Sequence, residues 1–199
     1  MRAFASAGLV LLAATFAASC GGKPDLPRIA QVPAFELRDQ DGANVSREAL
    51  RGHVWVANFM FTSCPDVCPI LTAKMAGVRT RLVGDRVPVR IVSFTVDPAT
   101  DTPAVLKQYA KERSADFDDW RFLTGPLDQV KHVIVEGFKQ GLQRQPAVAG
   151  QPQAILHGSH FVLIDRDLYI RGYYSSDEDG LLRLTRDARI VAAESGKRG

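Results

Sequence analysis

Trp55–Met75 reads WVANFMFTSCPDVCPILTAKM. Together with Val54, the run to Phe61 is almost continuously apolar, β-branched or aromatic, which is the composition of a strand buried on both faces of a parallel sheet. Beyond it the period changes. Leu71, Met75, Val78 and Leu82 recur every three or four residues and lay one apolar stripe along a helix whose other faces carry Lys74, Arg79 and Arg81. Cys64 and Cys68 sit where the strand gives way to the helix.

A helix opening near Cys64 would put residues four apart on one face, so that both sulfurs point at one small object. Pro65 suits the first helical position, where an N–H is not needed. Unpaired N–H groups and the positive end of the helix dipole then favour thiolate, the form that binds metals and attacks disulfides. A structural disulfide is the plain alternative in an oxidising compartment. Closing so short a loop, however, removes little entropy from the unfolded chain, so redox or metal chemistry accounts better for the pair.

Working outward, a chain of 199 residues with 46% hydrophobic content can bury one good core. Lys and Arg exceed Asp and Glu by only 25 to 22, with no basic cluster on one element, which argues against a nucleic-acid surface. Residues 1–19 read as a bacterial export signal: Arg2, an apolar run from Gly8 to Ala18, then small residues before Cys20. Cys20 followed by Gly21 and Gly22 resembles a lipoprotein junction, although Ala17 stands where leucine is usual; plain cleavage and an uncleaved anchor are the other readings. All of them place the domain outside the cytoplasm. Residues 20–33, with Pro24, Pro27 and Pro33, have the composition of a tether.

Residues 34–199 are expected to form one domain. Phe35 and Leu37 alternate with charged neighbours, Asp41-Gly42 marks a hairpin turn, and Val45 begins the return strand before a helical turn over Ser46–Leu50. Val87–Val96 reads as a second buried strand. Thr102-Pro103 is a capping residue followed by a first-turn proline, ahead of a helix that buries Leu106, Tyr109 and Ala110. A short strand over Trp120–Phe122 precedes a helix from Leu127 carrying Val130, Val133, Ile134 and Phe138. Gln140–Leu156 is a long loop or loose hairpin that delivers His157. Strands over Phe161–Asp165 and Leu168–Tyr173 then form a closing hairpin, followed by a helix with acids in its first turn and Leu181, Leu184, Ala188 and Val191 on its buried side. This order describes an α/β, thioredoxin-like fold with an N-terminal β-hairpin extension and a C-terminal hairpin plus helix.

Three stretches carry a family resemblance: FTSCPDVCP at Phe61–Pro69, TVDPATDTP at Thr95–Pro103 and HGSHFVLID at His157–Asp165. Together they resemble the Sco/SenC family of copper-binding proteins, in which three residues rather than two separate the cysteines. The resemblance implies copper, as Cu(I) or Cu(II), bound by Cys64, Cys68 and His157, the last placed six residues before Leu163. It also implies a metallochaperone serving the copper-bearing subunit of cytochrome c oxidase or another copper chaperone; the lipoprotein-like junction adds the expectation that lipid on Cys20 holds it at a membrane. Some members are proposed to act as thiol-disulfide reductants, so an enzyme, either an oxidoreductase or a peroxidase using Cys64 and Cys68 as catalytic thiols, is the competing reading. The ligand chemistry agrees: thiolates favour Cu(I), an added imidazole suits Cu(II) as well, and zinc commonly takes four ligands where three strong ones are found.

The remaining candidates weigh less. Asp97, at the carboxyl end of the second strand, is a candidate for a hydrogen bond that tunes the site, or simply a turn-forming Asp-Pro. His160, an odd number of residues from His157 on extended chain, is expected to point away from it. His53 and His132 read as structural or exposed, and Met60 and Met75 as core.

Overall fold

The computed structural model describes residues 26–65, 67–115, 117–144, 155–157 and 160–194, with backbone alone for 142–144 and 155–157. Ten strands and four α-helices follow in order: β1 (Ala30–Gln31), β2 (Glu36–Arg38), β3 (Asn44–Ser46), β4 (Val54–Met60), α1 (Val67–Gly84), β5 (Val89–Thr95), α2 (Pro103–Glu112), β6 (Trp120–Leu123), α3 (Leu127–Lys131), β7 (Leu142–Arg144), β8 (Ile155–His157), β9 (Phe161–Ile164), β10 (Tyr169–Tyr174) and α4 (Glu178–Ala193). Six strands form the main sheet in the order β1-β10-β9-β4-β5-β6. Strands β4, β5 and β6 run parallel, while β9 returns antiparallel beside β4 and β10 lies antiparallel beside β9. This is the thioredoxin-like arrangement expected, with β2-β3 as the N-terminal hairpin.

Strand β4 sits at the centre, and all seven of its residues are buried, which is why its sequence shows no polar alternation. On one face, Trp55, Phe59 and Phe94 pack with Phe138, and Phe35 from the segment leading into β2 closes the cluster edge-on at 5.6 Å from Phe94. The opposite face carries α1, whose Leu71, Met75, Val78 and Leu82 are all buried as the stripe required. Tyr109 of α2 bridges from Thr72 of α1 to the ring of Phe122 on β6. Caps follow the local sequence: Thr102 accepts from the Val105 N–H with Pro103 next, and Asp177 accepts from the Gly180 N–H at the start of α4.

Three expectations are corrected. The helix does not open at Cys64 but at Val67, so Pro65 lies outside it and Pro69 occupies its first turn. The segment expected as a tether over 20–33 is folded from Leu26 onward: Ala30 and Gln31 add an edge strand to β10, Val32 is fully buried, and Arg171, itself 3% exposed, donates to the carbonyls of Leu26 and Pro27. Pro33 packs so closely on Gly137 that a Cβ there would stand 2.5 Å from its Cδ, which explains the glycine. Finally, the helix from Leu127 changes pitch at His132 into a π-helical turn over His132–Gly137, which swings Phe138 into the core. The segment read as a long loop or loose hairpin is a hairpin at its ends, where Leu142 pairs with His157 and Arg144 with Ile155.

Candidate metal centre

The site is built at the carboxyl edge of β4 and β5, where parallel sheets of this kind present their ligands. Past Met60 the ladder closes with the Val96 N–H on the Met60 carbonyl, and the chain leaves the sheet through buried Phe61. Cys64 then turns back, giving its N–H to the Phe61 carbonyl at 3.3 Å. Its sulfur receives the Cys68 N–H, also at 3.3 Å, in the manner of a side chain capping the incoming helix. Both cysteines are free thiols. The four-residue spacing thus brings them together as expected, but through a turn followed by a helix rather than along one helical face.

The two thiols are not equivalent. Cys64 is partly exposed, whereas Cys68 has no exposed surface. Burial pushes the Cys68 thiol well above its usual range, with the adjoining Cys64 sulfur acting in the same sense and a hydrogen bond with the Phe61 backbone pulling against them. This corrects the expectation that the helix terminus lowers both pKa values: at Cys68 desolvation outweighs the helix dipole.

Behind the cysteine turn lies a carboxylate that the sequence reading missed. Asp101 is fully buried and accepts the Thr62 N–H at 3.2–3.3 Å, the Thr62 hydroxyl and the Thr95 hydroxyl, so one side chain joins the cysteine turn to the end of β5. Burial raises its pKa, against the lowering effect of the two threonine hydroxyls. The only signal for it in the sequence is a second acid, four residues after Asp97 and just before the Thr102-Pro103 cap. Asp97 itself is buried and shapes the turn: its N–H donates to Thr95 Oγ1, and its carbonyl receives the N–H groups of Thr100 and Asp101.

The structure brings the backbone of His157 into β8, opposite Leu142; its side chain and Cys20 lie outside the described residues. Among the described side chains, no three His, Cys, Asp or Glu groups converge as a metal site. His132 is exposed and Met60 and Met75 are fully buried in the core, each where the sequence reading put it; His160 is exposed, and its direction relative to the His157 ring lies outside the described residues. His53 is half-buried at the opposite edge of the sheet. Among the described residues no helix is long and apolar enough to cross a membrane.

A family model described as SCO1/SenC matches residues 25–189. Three solved structures resemble this chain over most of its length. A SCO1/SenC family lipoprotein from Bacillus anthracis is 32% identical, with a TM-score of 0.72 over 81% of this chain and 95% of its own. BsSco, described as a member of the Sco family of cytochrome c oxidase assembly proteins and as having a disulfide switch, is 33% identical, with a TM-score of 0.71 over 85% and 96%. Bradyrhizobium japonicum ScoI, solved with copper bound, is 26% identical, with a TM-score of 0.69 over 81% and 99%.

Proposed function

The chain belongs to the SCO1/SenC family, and from that premise we propose that it is an extracytoplasmic copper metallochaperone, tethered to a membrane through lipid on Cys20. The observation that carries the reading is the pair of free thiols, Cys64 and Cys68, hydrogen-bonded across one turn at the carboxyl edge of the central strands. Two thiolates favour Cu(I), and the imidazole of His157, supplied by β8, would extend the range to Cu(II). Three ligands leave an incomplete shell, which suits cargo that must be passed on. The copper-bound ScoI and the lipoprotein relative support metal and anchor respectively, and BsSco supports cytochrome c oxidase assembly as the process served.

Copper titration of the reduced protein tests this. One copper should bind per chain, the Cu(II) form should show sulfur-to-copper charge transfer, and Cys64→Ser, Cys68→Ser or His157→Ala should each weaken binding by about tenfold or more. Affinity left intact by His157→Ala would remove it from the site.

The difference in exposure favours a second reading that is compatible with the first. Partly exposed Cys64 is placed to attack a client disulfide and buried Cys68 to resolve the mixed disulfide, releasing the client as a dithiol and leaving Cys64 and Cys68 oxidised. Metal-free protein should then reduce a model disulfide stoichiometrically, with no dependence on His157. Failure to do so leaves the copper reading alone.

A further inference from the structure

The edge of the sheet opposite the cysteines, formed by the amino ends of β4 and β5 and the carboxyl ends of α1 and β9, has unevenly matched charges. Most of its acids are engaged: Asp85 with Arg189, Asp119 with Arg79, Asp165 and Asp167 with Arg28, and Glu48 with Arg51, while exposed Asp118 beside Asp119 adds one further negative charge. Arg86 and Arg90 are exposed, and neither has a carboxylate within ion-pair distance among the described residues. Both line one open cavity together with His53, Val83 and Pro88, bordered by the already paired Asp119. Arg166 is held alongside, its carbonyl on the Gly52 N–H and its guanidinium on the Ala192 carbonyl. Burial first, then the charges of Arg90 and Arg166, hold the His53 imidazole below its ordinary pKa, so the three groups feel one another.

We propose that this basic edge docks on the anionic headgroups of the membrane to which the chain is tethered. The position of the incoming chain argues for that occupant. Arg171 pins the carbonyls of Leu26 and Pro27 at this same edge, between Asp165 and Glu194, and Arg28 follows directly. Five residues separate Leu26 from Cys20, six chain steps with a reach of about 20 Å when fully extended, so lipid on Cys20 holds an anionic surface near these arginines. Val83, 51% exposed, and exposed Pro88 supply apolar contact between the charges. Docked this way, the domain turns Cys64 and Cys68 away from the bilayer, across the roughly 23 Å length of the seven-residue β4.

The inference rests on the tether in the proposed function, and one experiment separates the two. The full lipidated chain is incorporated into vesicles of phosphatidylcholine alone or of equal parts phosphatidylcholine and phosphatidylglycerol, and amide hydrogen exchange is followed over residues 83–90. Exchange there should slow by about tenfold in the anionic vesicles only, the occupancy that a few arginines at such a surface support. The double variants Arg86→Glu/Arg90→Glu and Arg86→Gln/Arg90→Gln should both abolish the slowing, the second guarding against misfolding of the first. Equal exchange in both vesicles, with protein sedimenting in each, overturns the docking while leaving the tether. Protein that sediments with neither overturns both. Protection produced by inorganic phosphate in phosphatidylcholine vesicles overturns the membrane as occupant in favour of a free anion.

Discussion

At the scale of single residues the site is governed by burial. Cys64 and Cys68 are four positions apart, yet one meets solvent and the other lies beneath it with its thiol pKa raised. In reduced, metal-free protein iodoacetamide should therefore modify Cys64 first, with Cys68 slower by about tenfold or more, as peptide mass spectrometry would show. Equal rates would mean that the helix end opens freely. Asp101 is the other residue whose environment dictates its effect. Asp101→Ala strands the half-buried Thr62 N–H and two hydroxyl partners and should cost about 3 kcal/mol, read from a urea midpoint. Asp101→Asn keeps the shape, sheds the cost of burying a charge, and should lose much less. A smaller loss in the alanine variant would show that water replaces the carboxylate. Asp101 was not legible in the sequence because its role comes from Thr62 and Thr95, which only the fold brings to it; Asp97 drew attention instead because an Asp-Pro at a strand end is a local signal.

At the scale of elements, legibility followed the strength of each element's own pattern. Strands β4 and β5 and helices α2 and α4 carry their periodicity or caps within themselves and were readable to within about two residues, whereas α1 showed its apolar stripe but not its start, which lies at Val67 rather than Cys64. Strand β1 was not, because two residues between prolines have no period; what makes Ala30–Gln31 a strand is the open edge of β10. The π-helical turn at His132–Gly137 was equally silent, since the apolar spacing of Val133, Ile134 and Phe138 serves an ordinary helix as well. Caps permit a prediction with a sign. The Gly180 N–H first, then the Ser175 hydroxyl, hold the Asp177 carboxylate below its ordinary pKa, so its contribution to α4 is full above the unfolded carboxylate range and is lost as pH falls through the lower folded value. The stability gap between the parent and Asp177→Ala should therefore be widest near neutrality and shrink in acid, as paired denaturation curves would record. A gap that widens in acid would reverse the assignment.

At the scale of the molecule, the proposed site joins parts of unequal rigidity. Cys64 and Cys68 are fixed to the central strand and α1, Cys68 inside the continuous core and Cys64 packed against it. His157 arrives on β8, which among the described residues pairs with β7 alone, in a two-stranded ladder separate from the six-stranded sheet. Two-stranded ladders contribute little stability alone, so the third proposed ligand can be gained or lost without disturbing the core. His157→Ala should accordingly leave the melting temperature of metal-free protein within the shift that about 0.5 kcal/mol produces. The same substitution should remove most of the copper-dependent rise in melting temperature. In the parent that rise corresponds to about 2.7 kcal/mol at a hundredfold excess of free metal over the dissociation constant. Scanning calorimetry of both proteins, with and without copper, separates the two effects. A metal-free variant that melts far below its parent would make His157 part of the scaffold, and a rise with copper equal to the parent's would leave the cysteines holding the metal without it.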